Sequence, residues 1–130
     1  MKILFVCKHN RFRSKVAEAL FNKYNKDKEN EAKSAGVKLD IMHVAENVKK
    51  ALEEKGIKEV DNLPREVSEK EIKWADKIIV VANDVSTENF PKEKTEVWFV
   101  SDINQGDLEG IRKRVDMIEY DVKALLKRVR

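Results

Sequence analysis

Cys7-Lys8-His9-Asn10-Arg11-Phe12-Arg13-Ser14 is the stretch of this chain whose residue types and spacing can carry covalent chemistry. An apolar run, Ile3-Leu4-Phe5-Val6, leads into it, and a helix-like run, Lys15-Val16-Ala17-Glu18-Ala19-Leu20-Phe21, leads out. The thiol therefore sits at the tip of a strand, in a short loop feeding a helix N-terminus, with an arginine six positions further on. Loop amides and the helix dipole converge on one spot there, and a guanidinium can close over it, which is a geometry for an oxyanion. The same field favours a thiolate, the nucleophilic form of cysteine. A small buried cysteine ending a core strand is the competing reading, because free thiols are often buried. Lys8, His9, Arg11 and Arg13 weigh against it, since a desolvated core position does not attract such neighbours.

On the first reading, Cys7 is a nucleophile toward a phosphate-like group. The backbone N–H groups of Lys8, His9, Asn10, Arg11, Phe12 and Arg13 would cradle its oxygens, acting where charge develops in the transition state. Arg13 can hold two of those oxygens bidentately, as a lysine cannot. Ser14 falls where a helix N-cap is expected. Asn10 tolerates a left-handed backbone, or is a plain turn former. Neighbours on a tight loop point apart, so His9 reads as a rim residue rather than a base paired with Cys7. His43 reads as a surface residue at a helix start. One cysteine and two histidines are too few for a metal site, and no cofactor is implied.

The elements that must position this loop alternate along the chain. Residues 2–7 form a continuous apolar run, the mark of a strand covered on both faces. Residues 14–25 carry Val16, Ala19, Leu20 and Tyr24 at helical spacing. A short strand over 32–35 ends at Gly36, and Val44, Val48, Ala51 and Leu52 define a helix face that Gly56 stops. Ser68-Glu69-Lys70-Glu71 is a capping box opening a short helix through Ala75. Ile78-Ile79-Val80-Val81 is the clearest buried strand, residues 83–90 read as a short helix ended by Pro91, and Glu96–Val100 is the fourth strand. Leu108, Ile111, Val115, Ile118, Val122, Leu125 and Val129 mark a long amphipathic helix capped by Asp107. Strands separated by helices imply right-handed crossovers and a parallel sheet. Ligands bind such sheets beyond the carboxyl ends of the strands, where Cys7, Asn83, Asp84 and Asp102 fall.

A length of 130 residues suits one domain over 1–130, and 42% hydrophobic content without a long apolar run points to a soluble protein with no membrane span. The apolar part of the N-terminus is too short for a secretory signal. The single cysteine excludes an internal disulfide and an internal thiol relay, so the cytoplasm is the expected compartment. Net charge is +3 on a chain that is 39% charged, with Lys and Glu interspersed. That pattern describes solvated helix faces, not a nucleic-acid surface.

At these residues the chain resembles the low-molecular-weight protein tyrosine phosphatases and their relatives, the thioredoxin-coupled arsenate reductases. The shared signature is a cysteine, two residues, an asparagine, two residues and Arg-Ser, read here as Cys7, Asn10, Arg13 and Ser14. Ser34-Ala35-Gly36 looks like the family's second-strand ending, Ala51–Ile57 like the end of its second helix, and Trp74–Val81 like the approach to its third strand. The resemblance implies a flavodoxin-like α/β fold: a four-stranded parallel sheet in the order 2-1-3-4 with helices on both faces. It implies that Ser14 also hydrogen-bonds the sulfur and that Asn10 locks the loop. It places the general acid in the loop after the fourth strand, Ser101–Asp107, and makes Asp102 the candidate. His9 stands where the tyrosine phosphatases commonly have glycine. Ile103 replaces the usual proline, no aromatic follows Asp102, and Val37–Ile41 lacks the aromatic that often forms the facing wall.

The expected function is a cysteine-dependent phosphatase that hydrolyses a phosphomonoester, on a phosphorylated protein or a small molecule, through a phosphocysteine. Arsenate reduction with an external thiol donor is the alternative. His9-Asn10 looks like several reductase-type loops, while the further cysteines of the thioredoxin-coupled relatives are missing. A non-catalytic oxyanion-binding or redox-sensing module is the third reading.

Overall fold

The computed structural model describes residues 1–129. Strand β1 (Lys2–Cys7) leads to α1 (Arg13–Tyr24), β2 (Glu31–Gly36), α2 (Glu46–Glu54), α3 (Glu69–Trp74), β3 (Lys77–Val81), β4 (Thr95–Trp98) and α4 (Leu108–Arg128). The strands form one parallel sheet in the order β2-β1-β3-β4, as the resemblance implied. Because β1 is central, with β2 added on one side and β3 on the other, a crevice opens beyond the carboxyl ends of β1 and β3.

Alternation along the strands divides the core. Ile3, Phe5, Ile79, Val81 and Trp98 face one side, where α1 supplies Val16, Leu20 and Phe21, α2 supplies Val48 and Leu52, and α4 supplies Ile111, Val115, Ile118 and Val122. Phe5 meets Phe21 edge-on with ring centroids 6.0 Å apart, and Trp98 at 5.7 Å. Burying each such ring contributes roughly 1.5–3 kcal/mol. Leu4, Val6, Ile78 and Val80 face the other side, under Ile72 of α3, Ala75 and Phe90. β1 is thus apolar at every position from Ile3 to Val6 because both of its faces are covered.

Helix termini show where the chain supplies its own caps. Ser68 and Glu71 form the expected capping box on α3, and Asp107 caps α4 by accepting from the Gly110 N–H at 2.9 Å. The expected helix over 83–90 does not form. Phe90 turns inward, its N–H donating to the Thr87 carbonyl at 3.0 Å, and burial of that ring outweighs the weak helical propensity of Ser86, Thr87 and Asn89. A single 3₁₀ turn, Lys92–Lys94, follows Pro91 instead. β4 ends at Trp98, two residues short of the expected boundary.

Glu96 ties β4 to its neighbours, accepting from Lys77 Nζ at 3.0 Å, Trp98 Nε1 at 3.0 Å and Arg128 Nη2 at 3.1 Å. Partial burial pushes this carboxyl up, but the Arg128, Lys77 and Trp98 bonds win and hold it at about 2. The folded value lies below the unfolded one, so the stabilisation is complete above about pH 4.5 and is lost as pH falls toward about 2. After discounting for solvent screening it is worth about 1–2 kcal/mol. We predict that Glu96→Gln lowers the urea midpoint at neutral pH, and that the gap to the parent narrows as the pH is lowered. A gap that stays constant with pH sinks this assignment.

Candidate active site

Cys7 ends β1 and is 2% exposed. The loop after it turns through Asn10, the one non-glycine residue with positive φ among the described residues, at 53°. That conformation suits asparagine. Asn10 Nδ2 donates to Ser14 Oγ at 2.7 Å and to Ser34 Oγ at 3.0 Å, while Asn10 Oδ1 accepts the Arg65 N–H at 2.9 Å. Ser14 Oγ lies 2.9 Å from Cys7 Sγ, where either atom can donate to the other in the neutral pair and the serine is the donor to a thiolate. The Asn10 N–H also reaches the sulfur, at 3.3 Å. A thiolate at this position would have two donors converging on it.

Ser14 does not cap α1, which corrects the simpler expectation. Phe12 occupies the N-cap position without a capping side chain, and Ser14 lies buried in the first turn. Phe12 buries its ring in the core, so only its backbone faces the loop. The first turn of α1 also holds no acid. Unlike α3 and α4, this helix start has neither a capping side chain nor an acid of its own to meet its first N–H groups and positive dipole end.

Arg13 is 2% exposed and fixed on one edge: Nη1 donates to the Val100 carbonyl at 2.8 Å and pairs with Asp84 Oδ1 at 3.0 Å. Its Nη2 lies 4.0 Å from Asp102 Oδ2. Asp102 accepts the Ile103 N–H at 2.9 Å through its other oxygen, and its side chain is 40% exposed. Cys7, His9, Arg11, Phe12, Arg13 and Asp102 line one cavity of about 150 Å³, with Ile103, Asn104 and Gln105 along its wall. The structure thus brings together Cys7 and Arg13, at the two ends of the β1–α1 loop, and Asp102, from the connection between β4 and α4. Lys8 lies on the same loop without lining the cavity. His9 sits at the rim as expected, its Nδ1 2.6 Å from the Lys38 carbonyl. Larger clefts exist, one of about 480 Å³ beside Tyr24, Lys26 and Lys123, but neither Cys7 nor Arg13 lines them.

Several supporting groups escaped the sequence reading. Asp84 was placed at the sheet edge but given no role, and the Val100 carbonyl has no sequence signal. Ser34 is bonded through to Glu18 Oε1 at 2.6 Å. Burial pushes the Glu18 carboxyl up, against the opposing Ser34 bond and the Lys15 charge. Lys15, almost fully buried, holds the Leu63 carbonyl at 2.9 Å and steadies the loop that presents Arg65 to Asn10. Gly36 packs on the phosphate-type loop itself. A Cβ there would lie 2.8 Å from Asn10 N and His9 C and 2.9 Å from Lys8 O. All three are backbone atoms, so nothing can swing aside. We predict that Gly36→Ala costs about 1–3 kcal/mol and lowers turnover at least tenfold in the protein that still folds. Unchanged melting temperature and rate would contradict the contact.

Among the described residues no cluster of three metal-ligating side chains occurs, and no helix is long and apolar enough to cross a membrane.

Fold and site together define a flavodoxin-like α/β protein whose β1–α1 loop carries a thiol and an arginine around an anion-sized cavity. The sequence profile of the low molecular weight phosphotyrosine protein phosphatase family spans residues 2–130, and the chain belongs to that family. No curated protein matches it in sequence. Solved structures do. An arsenate reductase from Archaeoglobus fulgidus is 34% identical, with 96% of this chain and 98% of that one covered and a TM-score of 0.80. A low molecular weight protein tyrosine phosphatase from T. tengcongensis is 26% identical over 99% of both chains, TM-score 0.88. An arginine phosphatase from Geobacillus stearothermophilus is 26% identical, covering 98% of this chain and 92% of that one, TM-score 0.84. The chain is accordingly a cysteine-dependent phosphatase by family and acts on phosphorylated substrates.

Proposed function

We propose that this protein hydrolyses a phosphomonoester through a phosphocysteine formed on Cys7. The observation that carries the reading is the convergence of Ser14 and Asn10 donors on a sulfur beside an uncapped helix start and a buried arginine. Loop amides from Lys8 to Arg13 bind the equatorial oxygens, and the free edge of Arg13 completes the cradle. Cys7 Sγ attacks phosphorus in line, forming the S–P bond as the P–O bond to the leaving group breaks. Asp102 donates a proton to that departing oxygen. Asp102, now ionised, takes a proton from water as the water oxygen attacks phosphorus, which releases Cys7 and inorganic phosphate. The balance needs only water. Steady-state hydrolysis of 4-nitrophenyl phosphate, with rapid-quench trapping of a phosphoenzyme whose phosphate is bonded to Cys7 sulfur, tests it. Turnover without a trapped thiophosphate, or none at all, rejects it.

Arsenate reduction is the second reading, favoured by the 34% identity to the Archaeoglobus fulgidus protein. With one cysteine in the chain, an external thiol would have to resolve the Cys7–arsenic adduct and supply the electrons. Arsenate-dependent oxidation of glutathione or reduced thioredoxin measures it directly.

A further inference from the structure

We infer that Arg11 selects substrates that carry a second anionic group beside the phosphoryl group, an inference that rests on the phosphatase reading above. Two guanidiniums line the catalytic cavity, and their surroundings differ. Arg13 is matched by Asp84 at 3.0 Å and approached by Asp102 at 4.0 Å. Arg11 donates its Nε to the His43 carbonyl at 3.2 Å and forms no ion pair among the described residues. That single bond to a neutral acceptor anchors the guanidinium at the wall and leaves both terminal nitrogens, with their four N–H donors, for a ligand.

The other titratable groups at the mouth are one imidazole and one carboxylate. His9 gives its Nδ1 to an acceptor, the Lys38 carbonyl at 2.6 Å, so Nδ1 carries the proton and Nε2 has no partner among the described residues. The cavity of about 150 Å³ opens to solvent past His9 and Arg11, so whatever is bonded to a phosphoryl group held over Cys7 passes along this rim. Asp102 is the one carboxylate lining the cavity, and in the mechanism it hands its proton to the leaving group. A cationic leaving group would meet Arg11 there, whereas a carboxylate or second phosphate would be held in the bidentate fashion that guanidinium geometry provides. The shared chemistry is an anion a few bonds from the phosphoryl group. It is available from a small phosphocarboxylate or from a phosphopeptide with an adjacent acidic side chain.

The test has two arms, each with a near-isosteric control that lacks the second charge. In one, phosphoglycolate is compared with ethyl phosphate; in the other, phosphotyrosine peptides with flanking Glu are compared with their Gln isosteres. The anionic member of one pair should show kcat/KM at least tenfold above its control, the advantage should shrink with added salt, and the arm that shows it identifies the source. Arg11→Gln should bring that ratio to near one, while Arg11→Lys keeps part of it. Thermal melts of both variants establish that they fold. The same pairs are read as dissociation constants by calorimetry, so a chain that fails to hydrolyse 4-nitrophenyl phosphate still shows, or lacks, the Arg11-dependent preference. Ratios near one in both arms, a preference that survives in Arg11→Gln, or a preference for an N-phosphoarginine peptide over both anionic substrates overturns the inference.

Discussion

Replacing Cys7 with serine is expected to lower turnover of 4-nitrophenyl phosphate by on the order of 10⁴-fold or more. The two donors that end on sulfur, Ser14 Oγ at 2.9 Å and the Asn10 N–H at 3.3 Å, stabilise negative charge at that atom. A serine hydroxyl keeps its proton at neutral pH, and Asp102 must itself be protonated at that step to serve the leaving group. The oxyanion cradle does not depend on sulfur. Inorganic phosphate should therefore still bind within about threefold of the parent affinity, through loop amides and Arg13. The pairing of lost turnover with kept binding is the diagnostic result. Rates retained above about 1% would show that Cys7 is not the nucleophile. Loss of phosphate binding would show that the substitution had disturbed the loop instead.

Asp102→Asn is expected to cost roughly 10²–10⁴ in kcat, with KM little changed. An amide of the same shape can still accept the Ile103 N–H, which the carboxylate accepts at 2.9 Å, so the loop should keep its path. What disappears is the proton for the leaving oxygen and the base for water. The loss should grow with the basicity of the leaving group, larger for an alkyl phosphate than for 4-nitrophenyl phosphate. Equal losses across leaving groups would assign the effect to the 4.0 Å approach to Arg13 rather than to proton transfer. Asp84 offers a comparison, because it pairs with the same arginine from outside the cavity lining. A variant there should disturb Arg13 without this leaving-group dependence.

Local rules made much of the fold legible. Ile3–Val6 and Ile78–Val81 are runs that only a doubly covered strand explains, and α4 follows from spacing alone. The capping box at Ser68 and the cap at Asp107 needed three or four consecutive residues and no tertiary context. Residues 83–90 failed for the opposite reason. Their conformation is decided by where Phe90 finds its core, which propensity cannot register. Ser14 was misplaced as a cap because the cap position depends on how the Cys7 loop turns. That turn is set by Asn10 bonds to Ser34 and to the Arg65 N–H, residues 24 and 55 positions away.

By itself the order of residues determined the candidate nucleophile, its helix, the nearby arginine and the alternation that yields a parallel sheet. These features lie within a few bonds of one another, so short-range sterics and periodicity encode them. Only the assembled sheet decided that Arg13 would be clasped by Asp84 and the Val100 carbonyl, that Asp102 would share its cavity, and that Arg11 would be left without a counter-ion. Those pairings join side chains 71 to 89 positions apart, brought within a few ångströms because β1, β3 and β4 lie parallel and end on the same edge.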